Sequence, residues 1–333
     1  MKICVAFALL LITTAAPGVY GESRLRLIQT IPLDGVEGRI DHMTVDVAGE
    51  RLFIAALGNN SVEVVDLPGG KRIRSISGFR EPQGVAWIPE RGQLFVASGE
   101  DDSCHLLDGK TFTATPVGGK ISDADNVRYE NTTHQVYVGC GNGSVRVLDI
   151  TAWRAVGEIA LPAHPESFQL ESRGSRAFAN VPNAHCVAVI DRAAGRVIST
   201  WPVEAAAANF PMALDEQHHR LFIGCRKPAA LIVLDSGSGK EVASVAIDGD
   251  ADDVFYDAKR ARIYISCGAG LVDVLDQNAP LPYNVVERIP TASGARTSLF
   301  VPELNRLYVA VPHRDKQPAE VRVYDASEPQ ERP

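Results

Sequence analysis

The stretch MALDEQHHRLFIGCRKPAALIVLDSGSGKEVASVAI, residues 212–247, decides the fold. It contains four short apolar or alternating runs, at residues 212–215, 221–225, 231–235 and 241–247. Polar turns separate the runs, and the turn at residues 236–240 contains glycine, which adopts a positive φ at no steric cost. Runs of this length bounded by turn residues are typical of β-strands. The stretch therefore predicts one sheet of four antiparallel strands.

The same pattern occurs seven times along the chain, at a spacing of 41 to 44 residues. The first run of each copy begins at Met43, Val85, Val127, Phe168, Met212, Val254 or Ser298. A second run follows in every copy, and the third run usually ends in aspartate, as at Asp66, Asp149, Asp191, Asp235, Asp276 and Asp325. A fixed period with several strands per unit indicates a repeat architecture.

The two ends of the repeat array predict how it closes. The last copy has strands at residues 298–301, 307–311 and 321–325 but lacks a fourth, while one spare run, residues 25–33, precedes the first copy. All-β repeats protect their sheet edges by radial arrangement. We therefore predict an all-β fold, a seven-bladed β-propeller with four antiparallel strands per blade, whose last blade is closed by the N-terminal strand. Residues 22–333 are expected to form this single domain.

The N-terminus has the features of a secretory signal peptide. Lys2 supplies a positive charge, and residues 3–16 are almost wholly apolar but too short for a comfortable membrane span. Val19 and Gly21 place cleavage between Gly21 and Glu22, so residues 1–21 are predicted to be the signal; the alternative is a retained N-terminal anchor. No later stretch is apolar and long enough to span a bilayer, so we expect a periplasmic or secreted protein with no transmembrane span in the mature chain.

The net charge bears on the partners to expect, and the cysteine positions bear on disulfide formation. The formal net charge is −8 and the pI is about 5.5. Nucleic-acid binding requires a basic footprint, so we expect no nucleic-acid partner. Cys4 lies in the predicted signal, and the other five cysteines are expected to be small buried hydrophobes in the sheets, not a disulfide framework.

Two repeats resemble a known family. The sequences LFIG at residues 221–224, LIVLD at 231–235 and GKEV at 239–242 are similar to the YVTN-type β-propeller repeat of YncE-like proteins, as are LFIA at 52–55 and VEVVD at 62–66. The similarity covers essentially the whole mature chain. It implies a periplasmic or secreted propeller, with binding or scaffolding roles as often as catalysis, and it supplies no universal catalytic motif.

The residues just before each first strand form the candidate site. In a propeller, first strands line the central channel and the loops before them gather at one mouth. Two places before the strand are Asp41, Gln83, Asp125, Glu166, Phe210, Asp252 and Arg296; one place before are His42, Gly84, Asn126, Ser167, Pro211, Asp253 and Thr297; further out are Asp123, His164, Asn209 and Asp250.

This ring predicts an acidic central funnel that binds ligands. Its expected ligand-binding residues are Asp41, His42, Gln83, Asp125, Asn126, His164, Glu166, Asn209, Asp252, Asp253 and Arg296. Carboxylates that converge on one mouth repel each other unless their pKa values rise or a cation joins them. Arg296 is one candidate cation, because its blade lies between those of Asp252 and Asp41.

A divalent metal is the other candidate cation. Asp125, His164 and Glu166, from adjacent blades, are the predicted metal ligands, with Asn126 beside them and His42 facing them across the channel. The alternative is that these residues are solvated turn formers, since Asp, Asn and Ser bond to local backbone in turns. The predicted ligand is a small polar, cationic or hydroxylated molecule, bound directly or through a metal.

Two classes of function remain open. The first is a monomeric ligand-binding or protein-interaction module whose partner is that small ligand or another extracytoplasmic protein. Its support is the lack of a GxSxG or HExxH catalytic motif. The second is a metal-assisted propeller hydrolase or lyase, lactonase-like, in which His42 and His164 supply a metal ligand and a general base. The sequence favours the binding module.

Overall fold

Seven four-stranded antiparallel sheets make up the structure. The computed structural model describes residues 23–279, 281 and 283–328, which form these sheets. The first strands of neighbouring sheets contact one another all the way round, and the seventh sheet contacts the first. The prediction of a seven-bladed β-propeller is therefore confirmed. The predicted signal peptide at residues 1–21 lies outside the described residues.

The first four blades each contain four strands. The chain starts with β1 (Arg26–Pro32), which belongs to the last blade. Blade 1 consists of β2 (Met43–Asp46), β3 (Arg51–Ala56), β4 (Ser61–Asp66) and β5 (Lys71–Ser77). Blade 2 consists of β6 (Pro82–Ile88), β7 (Gln93–Ser98), β8 (Ser103–Asp108) and β9 (Ala114–Val117). Blade 3 consists of β10 (Ala124–Glu130), β11 (Gln135–Cys140), β12 (Ser144–Asp149) and β13 (Arg154–Ala160). Blade 4 consists of β14 (Phe168–Leu170), β15 (Arg176–Val181), β16 (Cys186–Asp191) and β17 (Arg196–Pro202).

The remaining three blades complete the ring. Blade 5 consists of β18 (Ala207–Asp215), β19 (Arg220–Lys227), β20 (Ala229–Asp235) and β21 (Glu241–Ala246). Blade 6 consists of β22 (Ala251–Asp257), β23 (Arg262–Cys267), β24 (Leu271–Asp276) and β25 (Val285–Pro290). Blade 7 consists of β26 (Thr297–Val301), β27 (Arg306–Val311), β28 (Glu320–Asp325) and β1. One-turn 3-10 helices, Leu57–Asn59 and Pro182–Ala184, follow β3 and β15.

The N-terminal strand closes the ring, as predicted. β1 pairs antiparallel with β28, from Arg26 opposite Asp325 to Pro32 opposite Glu320. Ile31 is fully buried in a core cluster that joins blades 7 and 1. A hydrogen bond from Thr297 Oγ1 to the carbonyl oxygen of Ile40, 3.0 Å long, crosses the same junction. The closing strand is thus held by backbone pairing and by apolar packing.

The hydrophobic core lies between neighbouring sheets. The second strands are buried along almost their whole length, as in β3 and β11, whereas fourth strands such as β5 are mostly exposed. Each apolar cluster draws its side chains mainly from two adjacent blades. The sheets therefore stabilise one another, and the axis of the ring stays open for polar groups.

The recurring aspartate at the end of the third strand has a structural role. Oδ atoms of Asp66, Asp149, Asp191, Asp235 and Asp276 accept hydrogen bonds from backbone N–H groups two or three residues further on. These bonds fix the tight turn to the fourth strand, as Asx turns do. The aspartate therefore recurs in the repeat because it stabilises this turn.

The first strands begin earlier than the sequence predicts in most blades. Starts expected at Val85, Val127, Met212 and Val254 lie instead at Pro82, Ala124, Ala207 and Ala251. The extra residues pair with the end of the second strand, Ala124 opposite Cys140 and Ala251 opposite Cys267. A break in register follows each such pair. Extra residues of this kind form β-bulges, which re-aim side chains.

The cysteines behave as the sequence predicts. Cys104, Cys140, Cys186, Cys225 and Cys267 are all buried and free. Burial raises the pKa of each thiol.

In the described part of the chain, no helix is long and apolar enough to cross a membrane.

Ring closure can be tested within β1. Ile31→Ala should lower the free energy of unfolding by about 2–4 kcal/mol, because it leaves a cavity at a fully buried position. Ile28→Ala is the matched control, since Ile28 is 47% exposed on the same strand and should change stability by less than about 0.5 kcal/mol. Urea unfolding measures both, and equal effects would contradict the packing of β1 in the ring.

Candidate functional site

A small polar cavity lies where the first strands begin. Its volume is about 50 Å³, and it is lined by Arg39, Asp41, His42, Asp125, Asn126, Glu166, Ser167, Phe210, Asp252, Asp253 and Thr297. We call it the mouth cavity. Its residues come from blades 1, 3, 4, 5, 6 and 7 and are far apart in the sequence.

The structure brings most of the predicted site residues together. Seven of them line the mouth cavity: Asp41, His42, Asp125, Asn126, Glu166, Asp252 and Asp253. Gln83, His164 and Arg296 are outside this lining; the first two contact Asp123, and Arg296 contacts Asp252. Asn209 is fully buried, and its amide donates to Asn180 Oδ1 and to the carbonyl oxygen of Cys186.

Backbone pairing fixes the residues of the mouth cavity. Asp125, Asn126, Asp252 and Asp253 lie in the bulged starts of β10 and β22, not in free loops as the sequence suggests. Asp41 and Glu166 precede their strands, yet their N–H groups donate to the second strands of their blades, at 2.8 and 2.9 Å. The side chains therefore project from a rigid frame.

His42 lies between two carboxylates. Its Nε2 is 3.5 Å from Asp125 Oδ1 and 3.8 Å from Asp41 Oδ1. Burial disfavours the imidazolium, but the contact with Asp125 and the charge of Asp41 raise the pKa of His42 to about 9. Burial alone would raise the pKa of Asp125, yet His42 holds it below its usual range. Near neutral pH, His42 and Asp125 thus form an ion pair.

Asp41 has a second cationic neighbour. Arg39 Nη2 lies 2.8 Å from Asp41 Oδ2. Burial still raises the pKa of Asp41 to about 6, because it outweighs the charge of His42, and Asp125 adds repulsion. Asp41 is therefore poised to change charge at mildly acidic pH.

Two arginines hold Asp252. Arg226 forms a hydrogen-bonded ion pair with Asp252 Oδ1, and Arg296 Nε lies 2.9 Å from Asp252 Oδ2. Both arginines also contact Asp250. The guanidinium of Arg226 lies over the ring of Phe210, 4.0 Å from its centroid. This cluster neutralises one side of the mouth cavity.

Two further carboxyl groups have no cation in direct contact among the described residues. Burial and the charges of Asp125 and Asp252 raise the pKa of Glu166 to about 8, against the opposing charge of Arg226. Burial raises the pKa of Asp253 to about 7, and its Oδ2 accepts the N–H of Ser298 at 2.7 Å. The convergence of acids is thus offset in two ways, by arginines and by raised pKa values.

Asn126 carries an unsatisfied acceptor in this cavity. The residue is only 3% exposed, and its Oδ1 has no hydrogen-bond partner among the described residues. Buried polar atoms nearly always have a partner, and one without a partner requires an explanation. A cation or a hydrogen-bond donor bound in the mouth cavity would be a partner for Asn126 Oδ1.

The structure groups a different set of possible metal ligands from the predicted one. Oxygen and nitrogen atoms of Asp41, His42 and Asp125 all lie within 4.8 Å of one another. The predicted trio shares only Asp125 with this group: His164 Nδ1 points to Asp123 Oδ2 at 3.7 Å, and Glu166 is not part of the cluster. His42 thus takes the place expected for His164.

Arg39 and Arg226 are not among the site residues that the sequence predicts. Arg39 stands four places before its strand, the position that Asp123 and Asp250 occupy in other blades, so the same alignment would have found it. Arg226 directly follows the buried end of the second strand, where blades 3 and 6 have Gly141 and Gly268.

Steric crowding explains why residues 141 and 268 are glycine. The same crowding indicates how the sequence could have identified Arg226. A Cβ atom at Gly141 or Gly268 would collide with Asp123 or Asp250. Blade 5 has the small residue Ala208 at the equivalent of these aspartates, which leaves space for a large side chain after the second strand. Blade 5 therefore has Ala and Arg at the two positions where blades 3 and 6 have Asp and Gly, and this difference in sequence identifies Arg226.

Seven sheets around an axis, with a polar cavity at one end, define the protein as a β-propeller. A scan against models of known protein families finds no match. Among solved structures, a chain of Kuenenia stuttgartiensis hydrazine synthase is similar, with a TM-score of 0.73 and 18% sequence identity. The likeness covers 89% of this chain and 96% of that chain. At this identity it shows the shared propeller fold.

The protonation of Glu166 should make stability depend on pH. Its pKa is about 8 in the fold and 4.5 in the unfolded chain, so the folded state binds more protons between these values and loses stability as pH rises. Glu166→Gln removes this loss. Its stability relative to wild type should therefore rise from pH 5 to pH 8.5 by on the order of 4 kcal/mol.

Urea unfolding at the two pH values measures this difference. Asp41, Asp253 and His42 titrate in both proteins, so their contributions largely cancel in the comparison. Glu204→Gln is the control, because Glu204 is exposed, and its stability relative to wild type should not vary with pH. A pH-independent effect of Glu166→Gln would show that Glu166 is ionised in the fold.

Proposed function

We propose that this propeller is an extracytoplasmic binding module whose mouth cavity takes up a divalent cation or a small cationic ligand. One observation carries the proposal: Asp41, His42 and Asp125, from blades 1 and 3, present three ligand atoms within 4.8 Å of one another inside a closed ring. Carboxylate and imidazole groups together suit divalent metals.

The surroundings of this cluster support the same ligand chemistry. The Oδ1 of Asn126 is a buried acceptor with no partner among the described residues, and Glu166 is a carboxyl group with no cation in contact there. A cation in the mouth cavity would interact favourably with both. It would also replace the proton of His42, since a metal ligand must be the neutral imidazole.

The proposal includes a location of the protein outside the cytoplasm. Its support is the apolar segment at residues 3–16 preceded by Lys2, and the resemblance of the repeats to the YVTN type of YncE-like proteins. Under this proposal the protein acts as a monomer that binds a small ligand or another extracytoplasmic protein at the mouth. The acidic pI of about 5.5 suits cationic partners and disfavours nucleic acids.

A second candidate function is a metal-assisted hydrolase or lyase, lactonase-like. The observation that favours it is Glu166, whose pKa of about 8 suits a general acid or base near neutral pH. A metal held beside it would polarise a substrate carbonyl or activate a water molecule. This alternative uses the same cavity as the binding module.

Calorimetric titration of metal-stripped protein tests the binding module. With Mn²⁺, Ca²⁺ or Zn²⁺ as probes, at least one ion should bind saturably at one site per chain, and Asp125→Asn should weaken it at least about tenfold because it removes an anionic ligand. The control is Asp34→Asn, an exposed carboxylate outside the lining of the mouth cavity, which should leave the affinity unchanged. Absence of binding by the folded wild type would refute a metal at the mouth.

Turnover assays separate the two candidates. A panel of lactones, incubated with metal-loaded protein, should show hydrolysis only if the second candidate holds. In that case Glu166→Gln should reduce kcat at least about a hundredfold, the usual contribution of a general acid or base, without lowering the melting temperature at neutral pH. Saturable metal binding with no turnover of the panel would favour the binding module.

A further inference from the structure

A second cavity occupies the central channel beneath the mouth cavity. Its volume is about 470 Å³, and first strands of all seven blades contribute to its wall. His42, Ser167 and Asp253 border both cavities. We call this larger space the channel chamber. It is distinct from the site proposed above and differs from it in chemistry.

Apolar and polar groups share the chamber wall. Met43, Val85, Val127, Met212 and Val254 border the chamber but are buried between blades, whereas Leu214 and Leu299 are partly exposed. The aromatic rings of Trp87, Tyr129, Phe255 and Tyr256 add further apolar surface. A chamber of this size and composition can enclose the hydrocarbon body of a small organic molecule.

Two cationic side chains border the chamber: His42, which is shared with the mouth cavity and pairs with Asp125 there, and Arg128. Arg128, on β10, is partly buried and lines the chamber. Among the described residues, no carboxylate oxygen lies within the 4.0 Å of an ion pair with it, unlike Arg39, Arg226 and Arg296 at the mouth. Burial lowers the pKa of Arg128, while Asp253 and Asp125 act on it only through space and oppose that change. Its charge is therefore incompletely compensated.

The guanidinium is also held in a defined orientation. Nη1 donates to the carbonyl oxygen of Val127 at 2.9 Å, and Nη2 donates to Ser167 Oγ at 3.2 Å. Its Cζ lies 5.3 Å from the ring centroid of Phe168. A guanidinium has five N–H donors, so these two bonds leave donors for a ligand. The planar array of these donors matches a carboxylate.

We propose that the channel chamber binds a small organic monocarboxylate, with its carboxylate on Arg128 and its apolar body against the chamber wall. A single guanidinium, with acidic groups at some distance, suits one negative charge better than the two of a phosphate.

The opposite face of the ring gives a route to the chamber. A groove of about 570 Å³ shares Trp87 and Tyr129 with the chamber and is also lined by Val45 and Leu170. Three acids line this groove: Glu130 pairs with Arg192, Glu171 pairs with Arg176, and Glu90 contacts His134. The mouth cavity, at about 50 Å³, is too narrow for the same molecule. The ligand therefore enters from the side opposite to the metal cluster.

Titration of the whole protein with phenylacetate tests the proposal. Calorimetry should show saturable binding at one site per chain, and the fluorescence of Trp87, which lines the chamber, should change in parallel. Phenylacetamide, which has nearly the same shape but no charge, should bind at least about tenfold more weakly. Inorganic phosphate should also bind at least about tenfold more weakly.

Variants assign the binding to Arg128. Arg128→Met keeps the length of the side chain but removes the charge, so it should weaken phenylacetate at least about tenfold and leave phenylacetamide unchanged. Arg128→Lys keeps the charge without the planar fork and should give an intermediate affinity. Arg154→Met, on the exposed outer strand of the same blade, is the matched control and should bind like wild type.

Several results would overturn the proposal. They are absence of saturable phenylacetate binding by the folded wild type at millimolar concentration, equal affinities for acid and amide, and phosphate binding as tight as phenylacetate. Full affinity in Arg128→Met would do the same. If Arg128→Met fails to fold, the comparison of acid with amide on wild type and the Arg128→Lys variant decide the question.

Discussion

The pairing of β1 with β28 is the contact on which the rest of the molecule depends. Without it, blade 7 would have three strands, and the apolar cluster that joins blades 7 and 1 would lose Ile31. The mouth cavity needs residues from both sides of that junction, since Asp41 belongs to blade 1 and Thr297 to blade 7. A closed ring is thus the condition for a shared site.

The bulged first strands convert this ring into a chemical site. Their extra residues are tied to the second strands, so carboxylates such as Asp125 and Asp252 are held close to each other despite repulsion. The molecule offsets that repulsion unevenly. Arginines neutralise Asp252, His42 neutralises Asp125, and Glu166 keeps its proton to higher pH. Under the two proposals above, cationic and anionic ligands occupy different levels of the channel, because the guanidinium of Arg128 lies in the lower chamber without an ion-pair partner among the described residues.

The sequence predicts the fold well because the repeat carries local signals. Turn aspartates such as Asp235 and buried second strands recur at a fixed period, and both are properties of short segments. The positions before each first strand also identify Asp41, Asp125 and Glu166 as neighbours. The sequence does not predict which of these side chains pair with each other, because the pairing depends on bulges and on contacts across blades. His42, not His164, therefore joins the carboxylate cluster, and Asn209 turns into the core.

The closing sheet also sets an order of events during folding. Arg26 and Asp325, which face each other in blade 7, are 299 residues apart in the chain. Contacts between such distant residues form slowly, because a long loop must close first. β1 is synthesised before the other described strands but finds its partner last, and meanwhile its free edge can pair with other chains. Shielding of this one strand until β28 emerges would therefore govern the yield of native protein.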